Sequence, residues 1–259
     1  MDEAAPKTQY SQPAERCQPK WTALVDDWLK AVHAVLWRPT CVLCGSAGVE
    51  HRDLCAPCEM DFPVNLSCCR ACAHPLADSG HALRLCGACL RKPAYFDASF
   101  APYRYLYPID RLIQRLKYGG RLSIGRVLGE LFAQRVLAAR ARLPELLIPV
   151  PLAMGRFRAR GYNQAIELAQ HVAQRTGIEL RADIALRTRE TQEQASLKRK
   201  QRRRNVRGAF SVVRDLPRRH IAIFDDVMTT GSTANELARV LRRAGAERIE
   251  VWTIARAGR

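Results

Sequence analysis

Between residues 93 and 259, short continuous apolar runs alternate with stretches whose apolar residues recur every three to four positions. Continuous runs suit strands buried on both faces, and the longer period suits helices packed by one side. The alternation predicts an α/β fold, a parallel sheet flanked by helices. Strands are predicted over 98–103, 146–149, 221–224 and 249–254, and helices over 109–117, 124–140, 164–175 and 232–244. Upstream, Trp21, Leu24, Val25, Trp28, Leu29, Val32, Val35 and Leu36 fall near helical spacing, predicting a short amphipathic helix within residues 1–38. Asp26, Asp27, Lys30 and His33 interrupt it, which excludes a membrane span. The expected role of that helix is packing against the neighbouring region or a partner. No repeat of solenoid period occurs, and the C-terminal Ala-Gly-Arg is expected to fray.

Residues 39–92 have a different composition. They hold nine of the ten cysteines, eight of them as C-x-x-C pairs: Cys41/Cys44, Cys55/Cys58, Cys69/Cys72 and Cys86/Cys89. A two-residue spacer lets both sulfurs of a tight turn face one tetrahedral ion, so the block predicts two structural Zn2+ sites in a small zinc-ribbon domain. The pairs can combine sequentially, interleaved or nested. Ten residues separate the first two and thirteen the last two, which favours the sequential combination. Cys17 and Cys68 are left over, and His51, His74 and His81 are read as surface residues because eight thiolates satisfy two ions. Disulfides would need an oxidising compartment. The acidic opening Met1-Asp2-Glu3 without an apolar stretch predicts no secretory signal and a cytoplasmic setting. Four thiolates leave no open coordination position, so metal catalysis is not expected. Zinc here substitutes for a core too small to build, and the ribbon surface can also serve nucleic-acid or partner binding.

The sharpest chemical signal lies at 221–233. An apolar, β-prone run is followed by Asp225-Asp226 and then by Thr229-Thr230-Gly231-Ser232-Thr233, which leads into a helix. Ligands of open α/β sheets sit beyond the carboxyl ends of the strands. A helix start offers unpaired N–H groups and a positive dipole end, the four hydroxyls add donors, and Gly231 lets the backbone close on an anion. Two carboxylates beside a phosphate loop can accept hydrogen bonds from vicinal hydroxyls. A phosphate and a diol side by side describe a ribose 5-phosphate. The run matches neither the nucleoside-triphosphate P-loop nor the dinucleotide fingerprint.

Charge narrows the partners. The chain has a formal net charge of +17, which two tetrathiolate zinc sites would reduce to about +13. Polyanions are the expected partners: nucleic acid, phosphorylated metabolites or anionic lipid. The densest positive stretch comprises Lys198, Arg199, Lys200, Arg202, Arg203 and Arg204. With Arg187, Arg189 and Arg207 it can follow a phosphate backbone, and it also reads as a solvated loop closing over the nucleotide site. Few aromatics interleave it. Phe157 and Tyr162 are candidate stacking surfaces elsewhere.

These features together resemble the ComF family of competence-associated proteins, which carry a type I phosphoribosyltransferase domain. The resemblance rests on D-D-V-M-T-T-G-S-T at 225–233, on Arg156-x-x-x-Arg160-Gly-Tyr-Asn-Gln164, and on Gln194-x-x-Leu197-x-x-x-x-Arg202-x-x-Asn205. Pro149-Val-Pro151-Leu152, Leu116-Lys117-Tyr118 and the cysteine block also fit, so it runs from about Cys41 to Ile254. The resemblance implies phosphoribosyl pyrophosphate (PRPP) as ligand. Asp225 and Asp226 would meet the ribose hydroxyls, and Thr229 to Thr233 the 5-phosphate. Mg2+ would be carried mainly by PRPP oxygens and water. Candidate diphosphate clamps are Lys117, Arg156, Arg158 and Arg160, arginine being suited to bidentate phosphate contact. The resemblance further implies a role in DNA uptake, with single-stranded DNA and competence-machinery proteins as partners. It leaves open a transferase acting on an unknown acceptor and a regulator whose partner binding PRPP tunes. Glutamine-dependent amidophosphoribosyl transfer is not expected, because such enzymes need an N-terminal cysteine and this chain opens Met1-Asp2.

Overall fold

The computed structural model describes residues 39–49, 52–77, 85–189 and 206–258. The amphipathic helix predicted at 21–37, Cys17, His51, His81, Gln194, Leu197, the basic run 198–204 and Asn205 lie outside the described residues. Pro39–Arg259 forms one compact unit.

Its centre is a parallel sheet. The strands are β1 (Ala98–Phe100), β2 (Tyr103–Arg104), β3 (Leu146–Pro149), β4 (Glu179–Leu180), β7 (His220–Met228) and β8 (Arg248–Arg256). Their order is β1-β8-β7-β3-β4, with β2 also paired to β8. Every one of these pairings is parallel, as the alternation of apolar runs predicts. A separate antiparallel pair joins β5 (Ala185–Arg187) to β6 (Phe210–Val212). The sequence pattern misses β4, β5 and β6 because they are two or three residues long. The single strand predicted at 98–103 is broken at Ala101–Pro102, since proline has no N–H for a ladder.

Strand β7 runs four residues past its predicted end. Asp225 is opposite Thr253, Val227 opposite Ala255 and Met228 opposite Arg256. A long partner strand extended the pairing through residues whose polarity had suggested a loop.

The two faces of the sheet follow the period of two. Leu147, Ala222, Phe224, Trp252 and Ile254 enter one core, and Leu146, Ile148, Ile221, Ile223, Ile249 and Val251 enter the other. The first core packs against α3 (Ile109–Gly119), α4 (Leu122–Ala139) and α6 (Gln164–Thr176). Phe132 of α4 sits at its middle, edge-on to Phe100 at 5.4 Å and Phe224 at 5.2 Å, and tilted to Trp252 at 5.6 Å. Gly129 lets α4 cross α6 closely. A Cβ there would stand 2.7 Å from His171 Cβ and 3.0 Å from the Leu168 carbonyl oxygen. Asn163 caps α6 by accepting from the Ala165 N–H at 2.9 Å, and Gly177 ends it at φ 73°.

The second core packs against α7 (Ser232–Arg243), whose Leu237, Ala238 and Leu241 are buried. Two short helices, α1 (Ala56–Met60) and α2 (Gly87–Arg91), follow cysteines, and α5 (Met154–Arg160) precedes Gly161. Deep in the sheet, Glu250 is wholly buried but satisfied by Arg140 at 2.7 Å, Trp252 Nε1 at 3.0 Å and His220 Nε2 at 3.3 Å.

Candidate functional site

The cysteine pairs form two clusters, and they combine sequentially. The sulfurs of Cys41, Cys44, Cys55 and Cys58 all lie within 4.8 Å of one another, as do those of Cys69, Cys72, Cys86 and Cys89. Each pair is shaped by its own backbone. The Ala73 N–H returns to the Cys69 carbonyl at 2.7 Å, Gly45 to Cys41 at 3.0 Å, and Cys89 to Cys86 at 2.9 Å. The Cys86 N–H also donates to Cys69 Sγ at 3.2 Å. A hydrogen bond from Cys72 holds the Cys69 thiol down at about 4, and bonds with Ser46 hold Cys44 at about 6. Four sulfurs converging on one point fit a tetrahedral thiolate-bound metal ion of the Zn2+ type. Cys68 stays outside both clusters, its thiol pushed up by burial and by the Cys69 charge. His74 belongs to neither cluster; it contributes its carbonyl to the Cys69 N–H at 2.9 Å.

The carboxyl edge of the sheet forms a pocket of about 420 Å³. The β3 exit at 150–152 and the β7 exit at 225–229 meet there, linked by the Val150 N–H donating to the Phe224 carbonyl at 2.8 Å. Of the predicted ligand loop, Asp225, Asp226, Thr229, Gly231, Ser232 and Thr233 line it. Gly231 adopts φ 73°, the left-handed turn that starts α7. Thr230 points to the other side of the loop, with its Oγ1 2.8 Å from Ser232 Oγ.

Both carboxyls line this pocket and hydrogen-bond to one another. Asp226 shares the side of Phe224, is buried, pairs with Lys117 of α3, and accepts from Gln164 Nε2 of α6 at 3.2 Å. Gln164 in turn accepts from Arg160. Burial alone would raise Asp226, but the Lys117 charge, with hydrogen bonds from Asp225, Lys117 and Gln164, brings it below its ordinary value. Burial and the neighbouring Asp226 charge push Asp225 well above it. Burial lowers Lys117, yet Asp226 and Asp225 outweigh it and hold the ammonium above its ordinary value. The edge therefore carries one ionised carboxylate tied to a lysine and one carboxyl that favours its proton.

Lys117, Arg156 and Arg160 line this pocket, whereas Arg158 is exposed on α5 and does not. Arg187, which sequence reasoning placed with the basic run, lines it too. Burial and the Arg156 charge lower it to about 10, and its guanidinium lies 5.5 Å from the Phe210 ring. A buried arginine depressed by a neighbouring cation marks a place that favours an anion. Gln164 was visible in the sequence without a role; no local signal announces that it meets Asp226. Phe157 is exposed, and Tyr162 donates its hydroxyl to the Leu116 carbonyl.

Behind the loop lies a wider cleft of about 810 Å³, between the second cysteine cluster and α7. Lys92, Arg207, Arg239 and Arg243 line it, with Glu236 as its acid. Glu236 accepts from Arg239 at 2.6 Å and from the Gly208 N–H at 2.7 Å. Gly231 and Ser232 border both the pocket and the cleft.

Among the described residues no helix is long and apolar enough to cross a membrane. Residues 32–90 match the double zinc ribbon domain. A purine phosphoribosyltransferase from Pyrococcus horikoshii is 16% identical, covering 50% of this chain and 80% of its own, at a TM-score of 0.28, which carries no argument. Competence protein F of Haemophilus influenzae is 36% identical over 228 residues, 84% of this chain and 96% of its own. The DNA utilization protein YhgH of Salmonella typhi is 34% identical and that of Escherichia coli K12 33%, each spanning 83% of this chain and 96% of the relative. On that similarity, nearly end to end in the relatives, the chain belongs to the ComF/YhgH family.

Proposed function

We propose that the chain binds PRPP, with Mg2+ carried on its diphosphate, and that it handles single-stranded DNA in a DNA-uptake pathway. In this reading residues 39–92 are the double zinc ribbon and 93–259 the PRPP-binding domain, acting in the cytoplasm, where free thiols persist. The carrying observation is the lining of the 420 Å³ pocket. It combines a hydroxyl-rich loop at a helix start and an acidic pair with Lys117, Arg156, Arg160 and Arg187. The loop suits a 5-phosphate, Asp225 suits ribose hydroxyls, and the cations suit a diphosphate. The DNA component is supported by the basic cleft bordering the same loop, by the formal charge of +17, and by relatives named for competence and DNA utilization.

The test is a titration of PRPP, with and without Mg2+, on the wild type and on Asp225→Asn/Asp226→Asn. The variant should lose about tenfold or more in affinity, the scale of one charge-assisted hydrogen bond. Unchanged affinity, with the variant still folded, overturns the pocket assignment. Single-stranded DNA should bind with an affinity that falls steeply as salt rises, and Arg207→Glu/Arg243→Glu should weaken it. Absence of binding at low salt, with metal retained, removes the DNA component.

A further inference from the structure

We infer that Arg256 couples metal occupancy of the second cysteine cluster to the geometry of the loop at 229–233. The inference rests on reading that loop as the phosphate-binding element proposed above. Arg256 ends β8 and is only 2% exposed, an unusual place for a guanidinium. Its Nε donates to the carbonyl of Cys72, one of the four clustered cysteines, at 2.7 Å. Its Nη1 lies 2.8 Å from the Met228 carbonyl oxygen, 2.5 Å from that of Thr229 and 2.6 Å from that of Ala257. One buried side chain thus bonds a cluster residue on one side and the first residue of the loop on the other.

The cluster end of this strut is firmly seated. Four consecutive carbonyls of the Cys69 turn are each held by the body of the protein. Arg70 accepts from the Ser99 N–H at 3.3 Å, Ala71 from Ser99 Oγ at 2.7 Å, Cys72 from Arg256, and Ala73 from Asn65 Nδ2 at 2.9 Å. With the four sulfurs drawn to one ion, the turn is fixed and so is the Cys72 carbonyl. Without it only weak sulfur contacts remain, Cys72 Sγ with Cys86 Sγ at 3.7 Å and the Cys86 N–H with Cys69 Sγ at 3.2 Å, and the turn can relax. Arg256 then loses its anchor, and the Met228 and Thr229 carbonyls lose theirs.

Electrostatics points the same way. A buried guanidinium surrounded by carbonyls is stabilised by nearby negative charge. A tetrathiolate site with a divalent ion supplies it on one side, and a phosphate in the loop would supply it on the other. The first cluster is attached elsewhere. Arg115 of α3 donates to the Val42 carbonyl at 3.2 Å, and Arg126 of α4 pairs with Asp53. Coupling must be reciprocal, so a ligand in the loop should retard metal loss from the second cluster.

The experiment measures hydrogen exchange of amides 229–233, bound zinc, zinc release to a chelator, and PRPP affinity, all on the full chain. Cys89→Ser removes a ligand of the second cluster, Cys58→Ser one of the first, and Arg256→Lys shortens the strut with both clusters intact. Loop amides should exchange about tenfold faster in Cys89→Ser and in zinc-loaded Arg256→Lys, and at the wild-type rate in Cys58→Ser. Equal loop exchange in Cys89→Ser and wild type, or an equal effect from Cys58→Ser, overturns the coupling. If Cys89→Ser does not fold, Arg256→Lys decides: its second zinc should leave about tenfold faster while the first is unaffected, and unchanged release overturns the coupling. If PRPP does not bind but loop exchange still follows the metal, the coupling stands and the pocket assignment falls. If PRPP binds the wild type, Cys89→Ser and Arg256→Lys equally, the coupling falls and the pocket assignment stands.

Discussion

The pair of Lys117 with Asp226 is the most exposing test of the site's electrostatics. The Asp226 side chain is 4% exposed and that of Lys117 23%, so water can do little for the carboxylate, and only part of the work for the ammonium, once the other is removed. Breaking a buried pair from one side costs ~3–5 kcal/mol because it strands the remaining ion. In Lys117→Met the carboxylate keeps the Gln164 hydrogen bond at 3.2 Å, which places the loss near the lower end, ~3 kcal/mol. For a unit of this size that is ~6–12 °C in melting temperature.

Asp226→Asn strands the lysine and should cost a similar amount. The double variant should lose less than the two singles together, since neither charge is then orphaned. The pH dependence has a definite sign. In the wild type Asp226 sits below its ordinary value, so its contribution is complete above the ordinary carboxylate range and is lost as pH falls through the lowered value. In Lys117→Met, burial no longer meets an opposing charge, so Asp226 should take up a proton more readily. The variant's deficit should shrink between pH 8 and pH 5. Zinc-loaded protein followed by circular dichroism during thermal unfolding reads all four species. Losses that simply add, within ~0.5 kcal/mol, or a deficit that grows on acidification, would refute this account of the pair.

Purified protein should carry two zinc ions per chain by atomic emission, falling to one in Cys58→Ser and staying at two in Cys68→Ser, because Cys68 lies outside both clusters. Gly129→Ala should lower stability by ~1–3 kcal/mol, since the new methyl meets the α6 backbone as well as His171; a melting temperature equal to wild type would deny the close crossing. Asp225→Asn removes a carboxyl that burial and the Asp226 charge push well above its ordinary value, so its stability relative to wild type should rise as pH increases above the ordinary carboxylate range, ~4. A difference that does not vary with pH would show that Asp225 is not perturbed. Phe132→Ala should cost ~3–5 kcal/mol by emptying the space between three aromatic rings, Phe100, Phe224 and Trp252, measured by the same thermal scan.

Much of this was legible along the chain, because it depends on neighbours in sequence. The C-x-x-C turns, the strand–loop–helix at 221–233 and the parallel sheet are local patterns, each repeated by the backbone that contains it. Spacing leaned toward sequential cysteine pairing, but spacing cannot exclude the alternatives; only convergence in space does. The strand boundary at Phe224 was misplaced because polarity was taken as the end of pairing, whereas an equally long neighbour continued it to Met228.

What only the tertiary structure decided concerns partners far apart in the chain. Residues 117, 164 and 226 meet because α3, α6 and β7 are brought together at one sheet edge. Arg187 lines the pocket because the β5–β6 pair holds it there. Arg158, two positions from both Arg156 and Arg160 on a short helix, turned to solvent. Arg256 has no sequence signal at all; its pairing with Met228 buries it between the cysteine cluster and the loop. Composition and spacing report which groups are available and what each can bind. Which of them share a site is set by packing and register, since charge acts through space and the chain orders residues only along its length.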